Sequence, residues 1–175
     1  VAPVVVMLPV DKTSFEIKDQ VHITDPDSGD VATPYVPGTA HIISASGPSG
    51  TPTSLDLKSL ITVDPQTGHV SYNPAAFKFL AAGQQAVYTI GFDSQSGPDT
   101  THETLTFTVD GSNDAPVVAS ALTAAANQND SAQSFNLLAG ASDADLGETA
   151  TLTVGNVKFA LNGGTAQPAA PNGVT

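Results

Sequence analysis

The chain has 175 residues and a formal net charge of −12, from 17 acidic and 5 basic side chains. All five bases are Lys, so bidentate Arg recognition of phosphate is absent, and the net charge repels nucleic acid and anionic membranes. There is no Cys, which excludes thiol chemistry and Cys-based zinc sites, and no apolar run approaches the roughly 20 residues that span a bilayer, so no membrane insertion is expected.

Fourteen of the acids are Asp; the three Glu are Glu16, Glu103 and Glu148. Asp suits turns, and it also suits loops that wrap a hard cation in oxygen ligands. Hydrophobic residues make up 40% of the chain, enough for a core, and with 13 Pro and 15 Gly the composition predicts short strands joined by turns.

Taken in order, Val4–Leu8 is an apolar run that predicts a first strand. Ser14–Lys18 and Val21–Thr24 alternate with period 2, as strands do. Asp25-Pro26-Asp27-Ser28-Gly29-Asp30 breaks the pattern, a further strand is expected over Ala40–Ala45, and Gly47–Thr53 reads as a loop. Leu60–Val63 and His69–Tyr72 flank Asp64-Pro65-Gln66-Thr67-Gly68, a hairpin signal. Pro74–Gly83 is the one helix-like stretch, with Phe77, Leu80 and Ala81 at helical spacing, and one or two turns are expected there. Ala86–Phe92 and Thr104–Val109 alternate most clearly, with a turn over Ser94–Asp99. Strands at this spacing predict an all-β sandwich for residues 1–114.

The chain then starts over. Ala2-Pro3-Val4-Val5 recurs as Ala115-Pro116-Val117-Val118, an offset of 113 positions, and Asp25–Asp30 recurs as Asp143-Ala144-Asp145-Leu146-Gly147-Glu148, an offset of 118. Two motifs in register predict a tandem array in which residues 115–175 open a second, incomplete module. Strands are expected near Phe135–Leu137, Leu152–Val154 and Val157–Leu161, ordered by packing against an adjacent module or a neighbouring copy.

Two kinds of oxygen cluster carry the chemistry. Asp25, Asp27 and Asp30 have the carboxylate spacing and central Gly of a loop that can turn its oxygens onto Ca²⁺, and Asp143, Asp145 and Glu148 repeat it. A plain Asp/Gly turn accounts for the same residues. Repeated carboxylates at a module edge repel unless a cation offsets them, which favours Ca²⁺. Asp110, Asn113 and Asp114 are the second kind, two carboxylates and an amide oxygen at the junction, where a solvated linker is the alternative. His22, His41, His69 and His102 lie on separate segments without metal-ligand spacing and are expected to be ordinary strand histidines. No Ser/His/Asp order, paired Glu or phosphate loop stands out, so an enzyme is not expected.

Ile61–Pro74 resembles the D-x-x-x-G-x-x-x-Y-x-P hairpin of VCBS and cadherin-like bacterial repeats, on Asp64, Gly68, Tyr72 and Pro74. Phe77–Gly83 followed by Val87–Asp93 resembles the continuation of that repeat, and Gly111-Ser112-Asn113-Asp114-Ala115-Pro116 resembles its terminal G-x-N-D-x-P signature. The resemblance implies an immunoglobulin- or cadherin-like β-sandwich from a large, type I secreted (RTX) adhesin on the bacterial cell surface, acting in cell adhesion or biofilm formation. It implies Ca²⁺ at module boundaries, with Asp110, Asn113 and Asp114 matching linker ligands and Asp25, Asp27, Asp143 and Asp145 the acidic loop. The partners it implies are adjacent modules of the same polypeptide. This sequence lacks the further Asn that cadherins proper carry after that Asp. Two other functions fit the sequence: a filament subunit completed by strands of a neighbouring copy, and a carbohydrate- or surface-binding module that takes a host or biofilm ligand.

Overall fold

The computed structural model describes residues 13–23, 30–127, 129–160 and 164–168, and the backbone of Val4–Met7. The chain divides into two compact units, Val1–Asp114 and Ala115–Thr175. Among the described residues the regular structure is β-strands with a few 3₁₀ turns, paired almost entirely antiparallel, and no helix is long and apolar enough to cross a membrane.

The first unit is built on β7 (Gln85–Ser96) and β8 (Asp99–Asp110). They pair antiparallel over their whole length, from Gln85 opposite Asp110 to Ser96 opposite Asp99. The expected turn over Ser94–Asp99 is therefore tighter than the sequence suggested. Gly97 adopts φ 53°, available to it at little cost, and Pro98 follows with its restricted negative φ, so two residues reverse the chain.

Around this ribbon, β1 (Val4–Met7) pairs parallel with β8, while β3 (Ala32–Thr33) and β4 (His41–Ser46) pair antiparallel with β7. A second sheet holds β2 (Ser14–Glu16), β6 (His69–Tyr72) and β5 (Ile61–Asp64), in that order.

Both sheets contribute to one core. Phe15, Ile61 and Val70 from the smaller sheet join Ala86, Tyr88, Ile90 and Phe92 of β7 and Leu105, Phe107 and Val109 of β8. The alternate positions that make these strands legible in the sequence are the ones that are buried. Phe107 is the hub, with ring centroids 5.4 Å from Phe15, 5.4 Å from Tyr72 and 5.8 Å from Tyr88. Burial of Tyr88, with the Asp56 charge second, pushes its phenol up to about 12, and its hydroxyl donates to Leu57 O at 2.9 Å.

The β5–β6 turn closes on Asp64. Its Oδ1 accepts from Gln66 N at 2.8 Å, its Oδ2 from Thr67 Oγ1 at 2.9 Å, and Gly68 sits at φ 73°. The Tyr35 ring lies against Gly68, where a Cβ would approach it to 3.1 Å, and the Tyr35 hydroxyl donates to Pro65 O.

Three expectations are corrected. Pro74–Gly83 forms a 3₁₀ turn over Pro74–Phe77, with Asn73 Oδ1 capping Ala75 N at 3.0 Å, followed by tight turns at Leu80 and Gln84; Phe77, Leu80 and Ala81 are buried without α-helix. Val21–Ile23 carries no strand, because the chain turns at Ile17–Asp19 after β2, and Thr24 lies outside the described residues. In the second unit the expected strands at Phe135–Leu137 and Leu152–Val154 do not form, and Val157–Leu161 contributes only a Phe159–Gln167 bridge, Leu161 lying outside the described residues. That unit has β9 (Val117–Val118) paired with β10 (Ala141–Ser142), and a 3₁₀ turn at Glu148–Thr151. A strand needs a partner for its N–H and C=O groups, and among the described residues only Phe159 of these segments has one.

Candidate cation site and the acidic junction segment

The acidic loop of the second unit follows β10. Asp143 Oδ1 accepts the Asp145 N–H at 3.0 Å, an Asx turn that folds the loop back on itself. Gly147 at φ 89° reverses the chain, and Glu148 N donates to Asp145 O at 3.1 Å as the 3₁₀ turn begins. Thr149 ties the loop shut: its Oγ1 accepts from Asp143 N at 2.8 Å and donates to Asp143 O at 3.0 Å.

This fold brings one carboxylate oxygen each from Asp143, Asp145 and Glu148 within 4.8 Å of one another. Asp145 is only 2% exposed, while Asp143 and Glu148 are half-buried. Among the described residues this is the one group of three or more His, Cys, Asp or Glu so placed. Two like charges at such a distance repel by about 1 kcal/mol in bulk water and about 3–4 kcal/mol at an effective dielectric of 20. A cation reverses the sign of that energy. The oxygen-only donor set can hold a metal ion, and its chemistry suits a hard one.

The loop of the first unit that shares this pattern is only partly described. Asp25 and Asp27 lie outside the described residues. Asp30 faces the β7–β8 turn, where a Cβ on Gly97 would come within 2.6 Å of its Oδ2.

The junction residues take separate partners within the first unit. Asp110 Oδ1 accepts from Gln85 Nε2 at 2.7 Å, its cross-strand neighbour. Asn113 Nδ2 donates to Asp114 O at 2.6 Å, and Lys78 Nζ stands 3.6 Å from Asp114 Oδ1. Gly111 lets the strand end pass over the Phe77–Ala81 turns, since a Cβ there would be 2.3 Å from Ala81 O. Beside this segment is a pocket of about 320 Å³, with Tyr72, Phe77 and Leu80 among its apolar walls and Lys78, Asp110 and Asp114 among its polar ones.

Sequence reasoning missed Thr149 as the clasp of the acidic loop and Lys78 as the counter-charge of Asp114. A Thr one residue beyond Glu148 has no special signal, and Lys78 meets Asp114 only through the fold. It also missed two cross-strand pairs. His69 Nδ1 lies 2.7 Å from Glu16 Oε1 and His102 Nδ1 lies 2.5 Å from Asp93 Oδ1, each directly opposite its partner in the register.

Comparison with protein-family models, with curated proteins and with solved structures yields no match.

Proposed function

We propose that this chain is a structural extender of a large secreted bacterial adhesin, an immunoglobulin- or cadherin-like sandwich repeat of the VCBS kind. In this reading Ca²⁺ orders its acidic loops at the bacterial cell surface, in adhesion or biofilm formation. The observation that carries the proposal is the convergence of Asp143, Asp145 and Glu148, with Asp145 buried, in a loop whose pattern also occurs at Asp25–Asp30. The two-sheet core of the first unit supports the sandwich, and the oxygen-only donor set supports calcium over softer metals. No side chain is assigned a catalytic role; the work is mechanical, and its partners are further modules.

Asp110, Asn113 and Asp114 are proposed as a second cation set at the end of the first unit. Lys78 already supplies a positive charge to Asp114, so a divalent ion there has to displace an ammonium. The acidic loop is therefore the tighter site. Calcium titration by calorimetry of the full chain tests this. One high-affinity event that Asp145→Asn abolishes and Asp114→Asn leaves in place is expected, and equal isotherms for wild type and Asp145→Asn contradict it.

A further inference from the structure

Two segments of the first unit face each other across the pocket beside the end of β8. One is the 3₁₀ turn Pro74–Phe77, fixed by its Asn73 side-chain cap and followed by Lys78. The other runs from Thr108 to Asp114 and is fixed where Gly111 N donates to Gln84 O at 2.8 Å. These hydrogen bonds leave Lys78 and Asp114 out, so the walls hold their places before anything enters. The volume, about 320 Å³, lies at the small end of ligand pockets and suits a molecule of amino-acid size.

The lining is divided by chemistry. Phe77, Leu80 and Val109 are buried beneath the pocket, while Tyr72, Pro74 and Ala75 give it the apolar surface that water reaches. Covering that surface with an apolar side chain is favourable. The polar side holds a charge of each sign. Lys78 is one of five bases in a chain of net charge −12, and its Nζ stands 3.6 Å from Asp114 Oδ1. That is ionic contact, longer than the roughly 2.7–2.9 Å of a charge-assisted hydrogen bond. Asp110, also at the pocket, already accepts the Gln85 amide.

This charge pattern selects among ligands. A simple anion is opposed by the net charge of the chain, and a simple amine is opposed locally by Lys78. A molecule with both charges on neighbouring atoms meets neither penalty, because it offers each wall its opposite and adds no net charge. We propose that this pocket binds a free α-amino acid with an apolar side chain. The carboxylate pairs with Lys78 Nζ, the ammonium pairs with Asp114, and the side chain covers Tyr72, Pro74 and Ala75. The site goes beyond the mechanical reading and is independent of the acidic loop; it shares Asp110 and Asp114 with the second cation set.

The test is an NMR chemical-shift titration of the full chain, following the amides of Lys78, Thr108 and Ser112, in chelator so that divalent ions stay off Asp114. L-Leucine and L-phenylalanine are the probes, joined by glycine and by the amide and the deaminated acid of whichever binds tighter. Saturable shifts are expected with that amino acid, and at least about tenfold weaker binding of each of the three comparison compounds. Lys78→Met should also weaken binding at least about tenfold; the Lys78 side chain is 62% exposed, so the change leaves the core intact. Asp145→Asn should leave the titration unchanged. Absence of saturable shifts with both amino acids overturns the proposal. Equal binding of the amide or of the deaminated acid also overturns it, by assigning the pocket to a simple amine or a simple acid. These comparisons use the wild-type chain, so they stand whatever the variants do. Calcium titration is a separate readout, and failure here leaves the cation reading standing.

Discussion

At the residue scale the account turns on side chains whose charge or conformation is tightly constrained. Gly147 holds φ 89° at the turn of the acidic loop, so Gly147→Ala is expected to cost about 1–2 kcal/mol locally and to weaken cation binding, read by calorimetry. Tyr88 gives a pH test. Its folded value of about 12 lies above the ordinary 10.0, so the unfolded chain ionises first. Stability is full below about pH 10 and falls as pH rises towards 12, by at most about 3 kcal/mol. Denaturation of wild type and Tyr88→Phe across that range should show a smaller fall in the variant, where Tyr35 and Tyr72, whose phenols burial also pushes up, still contribute. Asp64 behaves oppositely: hydrogen bonds from Gln66 N and then the Thr67 hydroxyl hold its carboxyl below 3.8, so its contribution is present above that pH and is lost as pH falls through the folded value. The carboxylates were visible in the sequence as spacing. Their hydrogen bonds were not, because Thr149 and Lys78 reach them only once the chain has folded.

At the scale of elements, legibility followed burial. The alternation in β7 and β8 could be read directly because Tyr88, Ile90, Leu105 and Phe107 all face one core. The Asp64–Gly68 turn was legible because its residue types are demanded by its hydrogen bonds and by a positive φ. Of the helix-like stretch Pro74–Gly83, one 3₁₀ turn forms at Pro74–Phe77, and beyond it tight turns bury the same i, i+3, i+4 residues that an α-helix buries. Gly111, which the spacing marks only as part of a linker, is sterically obligatory. A Cβ 2.3 Å from Ala81 O meets backbone rather than a movable side chain, so Gly111→Ala is expected to lower the melting temperature of the first unit by the equivalent of about 2 kcal/mol or more. Equal melting curves would show that the strand end can lift away from those turns.

At the scale of the whole molecule, the two units differ in what their halves can bury. The first has two sheets closing on Phe107, and Phe107→Ala there should cost about 3–5 kcal/mol in chemical denaturation. The second repeats the opening motifs of the first but leaves Phe135 and Leu137 in water. The recurring motifs are visible in the sequence; the missing strands at Phe135–Leu137 and Leu152–Val154 are not, because periodicity reports a face that can be buried and says nothing of whether a partner is there to bury it. Charge acts at the same scale. In the proposed reading, a chain at −12 that gathers three carboxylates in one loop would lower its free energy by binding a divalent cation. The most direct measurement is thermal unfolding of the full chain in excess calcium and in chelator, alongside Asp145→Asn. The account predicts that calcium raises the wild-type melting temperature, by the equivalent of about 2.7 kcal/mol at a hundredfold excess over the dissociation constant of the Asp145 site, and that Asp145→Asn loses most of that rise. Superimposable wild-type curves in calcium and chelator would contradict it.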